Sequence, residues 1–197
     1  MKTAQRFPWL LFALAILLVG PSMALAHVGV GSTNGFSAGL IHPITGLDHL
    51  CAMIGVGLWA AQRGGRANWL IPLAFLGVMA LGVALGAAGV ALPLVEQGIV
   101  ASVLILGVLI AAAIRLPLVA SALLVGTFAL FHGHAHGAEM PLTASGMACG
   151  LGFLAASATL LGFGVALGAA ARSWGATWVM RFSGAALVIV AIYLAAS

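Results

Sequence analysis

The sequence predicts an all-α membrane protein, a bundle of six transmembrane helices behind a cleavable signal peptide. Three observations predict it. The 197 residues are 63% hydrophobic and only 5% charged, whereas a soluble domain carries roughly 25% charged residues, so no water-facing surface can be assembled from this chain. The apolar runs are about as long as the roughly 20 residues a membrane-crossing helix needs, and isolated charges, prolines and short polar breaks separate them. The arginines beyond the N-terminus all fall in alternate junctions between these runs. The mean hydropathy of +1.23 agrees, and the roughly 10-residue alternation of a barrel strand is absent.

Taken in order, residues 1–26 have the plan of a secretory signal. Lys2 and Arg6 form its charged start, Phe7 to Val19 its apolar centre, and Ala24-Leu25-Ala26 a small-residue cleavage site. Cleavage after Ala26 makes His27 the first mature residue; the alternative is an uncleaved anchor helix. Residues 27–197 then form one transmembrane domain, with spans expected at 36–61, 69–92, 98–114, 118–139, 143–170 and 177–195. With the mature N-terminus outside, the first, third and fifth junctions face the cytoplasm. They hold Arg63 and Arg66, then Arg115, then Arg172 and Arg181, while the junction near Pro93 holds Glu96 and no base. This distribution satisfies the positive-inside rule for a multi-pass chain whose mature N-terminus lies outside. Trp59, Trp69, Trp174 and Trp178 are expected at the same interface. The pI of about 10.1 does not indicate a nucleic-acid partner, because the bases are scattered one or two per junction and form no patch.

Gly82 to Ala88 reads GVALGAA, and Gly164 to Ala170 reads GVALGAA again. The same offset carries the first three spans onto the last three. Three is odd, so a duplication would invert the second half, a transporter plan with the site at the repeat interface. The competing explanation is composition, since Ala, Gly, Leu and Val dominate the chain. GxxxG spacings at Gly82/Gly86, Gly146/Gly150 and Gly164/Gly168 predict close helix packing. Cys51, Cys149 and Met147 read as core residues, with no disulfide implied.

The chain has three acids and six histidines, and most of them gather in two places. The first is His42-Pro43-Ile44-Thr45-Gly46-Leu47-Asp48-His49; the second is His132-Gly133-His134-Ala135-His136-Gly137-Ala138-Glu139. Ionisable groups at membrane depth are costly and mark functional sites. On a regular helix His42, His49 and Met53 share one stripe, and His132, His136 and Glu139 share another, with His134 opposite. Pro43 and Gly46 are positioned to distort the first stretch. Asp48 is open to three roles: ligand, partner behind a ligand, or helix packing. Imidazole with carboxylate suits divalent first-row metals. The competing reading is a set of satisfied polar groups that pin helices together. His27 would add an α-amine and an imidazole at the mature N-terminus, or be an ordinary chain end.

At HPITGLDHLCAMIGVGLW (His42 to Trp59) and FHGHAHGAEMP (Phe131 to Pro141) the sequence resembles the HupE/UreJ family of bacterial nickel/cobalt permeases, and the resemblance covers the whole chain. It implies uptake of Ni²⁺, or in some members Co²⁺, from the periplasm, with the metal as cargo and no prosthetic group. Carried over residue by residue, it implies metal contacts at His42, Asp48 and His49 and at His132, His136 and Glu139. The chain has no Walker motif and so carries no ATPase of its own. No reaction is expected of it. The alternatives are a membrane metalloenzyme of the histidine-box type and a non-transporting membrane subunit that binds metal. The expected partners are a divalent metal ion and the lipid bilayer; the sequence leaves protein partners open.

Overall fold

A computed structural model describes residues 35–140 and 143–196; the expected signal peptide at 1–26 and His27 lie outside them. Seven helices follow one another among the described residues: α1 (Phe36–Thr45), α2 (Leu47–Arg63), α3 (Ala67–Ala87), α4 (Val95–Ala111), α5 (Leu118–Glu139), α6 (Ala144–Ser173) and α7 (Thr177–Ala196). The molecule is inverted relative to a water-soluble bundle. Val119, Leu123, Phe182 and Ile189 stand outward, each about 70% exposed, whereas Asp48, His49, His132 and His136 are buried. An apolar outside, with the ionisable groups kept inside an otherwise apolar core, suits lipid as the solvent. The chain is a multi-pass membrane protein.

Helices α3, α5, α6 and α7 are each long and apolar enough to cross a membrane. The expected first span at 36–61 is not one helix. It is α1 and α2, bent by 82°, and counts as a fifth span only as that pair. Pro43 removes a backbone donor inside α1, and Gly46 leaves helical geometry at φ −84°, ψ 114°. The carbonyl of His42 is satisfied at the break, accepting from Gly46 N at 3.3 Å and from Thr45 Oγ1 at 2.9 Å. Helix α4, expected over 98–114, has 17 residues, about 25 Å at 1.5 Å per residue, short of a roughly 30 Å hydrocarbon core.

The most extensive packing is α3 on α5, then α2 on α6, α4 on α7 and α1 on α6. Glycines permit the first two approaches. A Cβ at Gly82 in α3 would stand 2.6 Å from Leu130 O and 2.9 Å from His134 N of α5. Gly57 of α2 and Gly164 of α6 face each other's backbones in the same way. The two GVALGAA copies therefore do equivalent work, one seating α5 and the other seating α2. Gly150 does not follow the expectation: a Cβ there would meet only side chains, at 3.7 Å and beyond. Close approach on that stretch of α6 falls instead to Gly152, which abuts the backbone of Phe36 and Leu40. Met147, read as core, is 68% exposed.

The ends of the helices differ in chemistry. The start of α2 and the end of α5 carry the histidines; the opposite ends carry the arginines. There, Arg172 Nη1 donates to Ala61 O at 2.7 Å and Arg181 Nε to Ala111 O at 2.9 Å, capping the last turns of α2 and α4. Gln62 Nε2 donates to Ile110 O and Trp59 Nε1 to Ile114 O, each at 3.0 Å. Trp59 is thus a buried tie between α2 and the segment after α4, not the interfacial ring expected of it, while Trp69, Trp174 and Trp178 are exposed.

Candidate metal site

The break at Gly46 decides how the first histidine cluster is presented. On a straight helix His42 and His49 would share a stripe and differ in depth by roughly 10 Å. With α1 folded across at 82°, both rings instead reach the same side chain of α5: His42 lies 4.5 Å and His49 4.3 Å from His136, centroid to centroid. His49 continues inward to His132, whose ring centre is 4.6 Å away. The four imidazoles form a line, His42–His136–His49–His132, with exposure falling from partial at His42 to 2%, 1% and 0%.

At the outer end of this line, one ligand atom each from His42, His136 and Glu139 lies within 4.8 Å of the others. Glu139 is exposed and His42 half-buried, so the trio forms a mouth. A cavity of about 10 Å³ adjoins it, walled by Cys149 and Phe153 of α6, with room for one water-sized object. The ring of Phe153 lies 4.3 Å from His136 and gives the polar line an apolar side wall.

Deeper in, orientation is set by hydrogen bonds. Asp48 Oδ1 accepts from both the backbone N and Nδ1 of His49, each at 2.8 Å. A proton held at Nδ1 leaves Nε2 of His49 with its lone pair, and that atom faces Nε2 of His136 at 2.5 Å. The carboxylate behind a ligating imidazole is a recurrent device for fixing tautomer and basicity. Asp48 also sits in the first turn of α2, where the helix dipole favours negative charge. Of the three roles open to Asp48, its position fits the partner behind a ligand. Two imidazole nitrogens sharing one transition-metal ion at about 2.1 Å each stand roughly 3 Å apart. Small rotations of His49 and His136 would therefore admit an ion.

His132 is held by a residue the motifs did not single out. Ser102 Oγ donates to Ile99 O at 2.6 Å and lies 2.9 Å from His132 Nε2. With its proton committed, the hydroxyl accepts from His132. Ser102 was visible as a polar residue within the apolar run of α4, but nothing in the sequence paired it with α5. Phe153 and Phe75, the latter 6.1 Å from His132, were indistinguishable from other core aromatics. His134 points the other way, as the helical spacing requires, and donates Nε2–H to Val90 O at 2.6 Å, tying α5 to the α3–α4 connection. Met53 is fully buried core, and Cys51 and Cys149 are free thiols.

Fold and site together define a helical membrane protein whose interior carries a line of imidazoles opening at a carboxylate. The family described as HupE / UreJ protein matches residues 14–194, and the chain belongs to that family. It is 43% identical over 169 residues to Protein HupE of Rhizobium leguminosarum bv. viciae, spanning 86% of this chain and 88% of that protein. No solved structure gives a significant match.

Proposed function

We propose that this protein is a permease that admits a divalent transition-metal ion, nickel or alternatively cobalt, from the periplasm to the cytoplasm. The observation that carries the reading is the line of four imidazoles, which runs from the Glu139 mouth to fully buried His132. A carboxylate at the mouth lowers the cost of drawing a dication out of water, and imidazoles further in favour transition metals over Mg²⁺ or Ca²⁺. His42, His136 and Glu139 take the ion first, His49 and His132 receive it, and Asp48 orients His49. The rest of the buried interior is apolar, with Val56, Phe75, Val103 and Leu106 among its side chains, so completing passage requires a rearrangement of the helices. A membrane potential negative inside would supply about 4.6 kcal/mol per 100 mV for a dication.

The topology belongs to the same reading. Six spans, with α1–α2 and the short α4 counted as crossings, put the histidine end in the periplasm and all five arginines of the described residues in the cytoplasm. The matched packing of α3 on α5 and α6 on α2 supports two inverted three-helix repeats. Residues 1–26 act as a signal removed after Ala26; a mature N-terminus other than His27 on sequencing would refute that step.

Purified protein in proteoliposomes tests the function. Ni²⁺ or Co²⁺ should accumulate when the interior is made negative, each competing with the other and neither displaced by Mg²⁺. Vesicles that bind metal at their surface without accumulating it would identify a non-transporting metal-binding subunit instead.

A further inference from the structure

Among the described residues, the end opposite the histidines carries five arginines and no acidic side chain. Arg172 and Arg181 are engaged with helix-terminal carbonyls. The side chains of Arg63, Arg66 and Arg115 have no hydrogen bond or ion pair among the described residues. Among the described residues no side-chain carboxylate serves them. The chain's three acids are Asp48, Glu96 and Glu139, and these occupy the start of α2, the first turn of α4 and the end of α5, all at the far ends of their helices.

These three arginines come from separate segments: the end of α2, the turn before α3, and the α4–α5 connection. They nevertheless line one open concavity of about 680 Å³, with Leu116, Pro117 and Leu118 as its apolar wall. Arg115 also borders a neighbouring hollow of about 350 Å³ that contains Arg172 and Arg181. The depth is marked by Trp69, Trp174 and Trp178, which are 51%, 69% and 47% exposed around the same end, as indoles at the headgroup level of a bilayer are.

We infer that this concavity binds the phosphate of an anionic phospholipid in the leaflet that the arginine end faces. Guanidinium groups match phosphate oxygens in charge and geometry, and three arginines share this one concavity. The apolar wall suits the start of the acyl chains, and basic hollows between membrane helices are a recurrent form of lipid-headgroup site. Separate topological charges would need neither a shared concavity nor an apolar wall.

The test is retention and stabilisation by lipid of the purified full-length protein. In detergent, added phosphatidylglycerol should raise the melting temperature saturably and remain bound in native mass spectrometry, whereas phosphatidylcholine should do neither. The double variant Arg66→Gln/Arg115→Gln removes side chains with no internal partner, so it should keep the fold. It should bind phosphatidylglycerol roughly 30-fold more weakly, each basic residue near an anionic lipid contributing about fivefold. Equal retention of phosphatidylcholine, or wild-type affinity in the double variant, would overturn the inference. Full reproduction of the stabilisation by inorganic phosphate alone would overturn it too, reducing the site to a free-anion site.

Discussion

Replacing Asp48 by Asn separates a ligand from a residue that acts through one. The carboxylate oxygen holds His49 by two contacts of 2.8 Å, to Nδ1 and to the backbone N. Asparagine retains an acceptor oxygen of the same reach, so the ring keeps its place while the charge behind it is lost. Partners of this kind are worth about 10- to 100-fold in metal affinity, or about 1.4 to 2.8 kcal/mol. The cost to the fold is smaller, about 0.3 to 1 kcal/mol for the lost charge at the start of α2. Initial-rate uptake into proteoliposomes, measured across metal concentration, should therefore show half-saturation displaced upward by about one to two decades, with protein in the membrane at normal levels. An unchanged curve would show that Asp48 does not tune His49. Loss as complete as in His49→Ala, at every concentration, would place the carboxylate on the ion itself.

His49→Ala and His132→Ala each interrupt the imidazole line at a buried point and should abolish uptake without removing the protein from the membrane; normal flux in either would break the proposed path. Ser102→Ala removes the partner of His132, and the loss of a hydrogen bond worth about 0.5–1.5 kcal/mol should raise half-saturation roughly 2- to 12-fold, read from the same uptake curves. Gly82→Ala drives a methyl group to 2.6 Å from Leu130 O, so the α3–α5 seam must open, costing about 1–3 kcal/mol and lowering the melting temperature in detergent. Gly77→Ala on the same helix meets nothing within 4 Å and should be neutral or slightly stabilising, so equal destabilisation by both would refute the seam argument.

Much of this molecule was legible in its sequence because membrane helices must satisfy their own backbones, which leaves long apolar runs as a direct trace of the fold. The expected span at 118–139 coincides with α5 (Leu118–Glu139), and 177–195 differs from α7 by one residue. The helical spacing of His132, His136 and Glu139 placed them on one face, and His134 on the other, because α5 is regular there. The same reasoning misplaced His42 relative to His49, since Pro43 and Gly46 break the helix between them and the two pieces meet at 82°. The position of Trp59 near Arg63 predicts an interfacial ring, yet the ring is buried and bonded to Ile114 O in the segment after α4. Ser102 and Phe153 could not be assigned to the site, because a sequence pattern fixes the face a residue occupies on its own helix and says nothing of which helix lies opposite.

The claim that two distant histidine motifs converge on one ion is tested most directly by X-ray absorption at the nickel edge of the metal-loaded protein. The arrangement of His42, His49 and His136 predicts a first shell of nitrogen and oxygen near about 2.1 Å, with outer-shell scattering from at least two imidazoles. One imidazole contribution should disappear in His49→Ala, on α2, and one in His136→Ala, on α5. A shell of oxygen alone, or an imidazole count that neither substitution changes, would contradict the account.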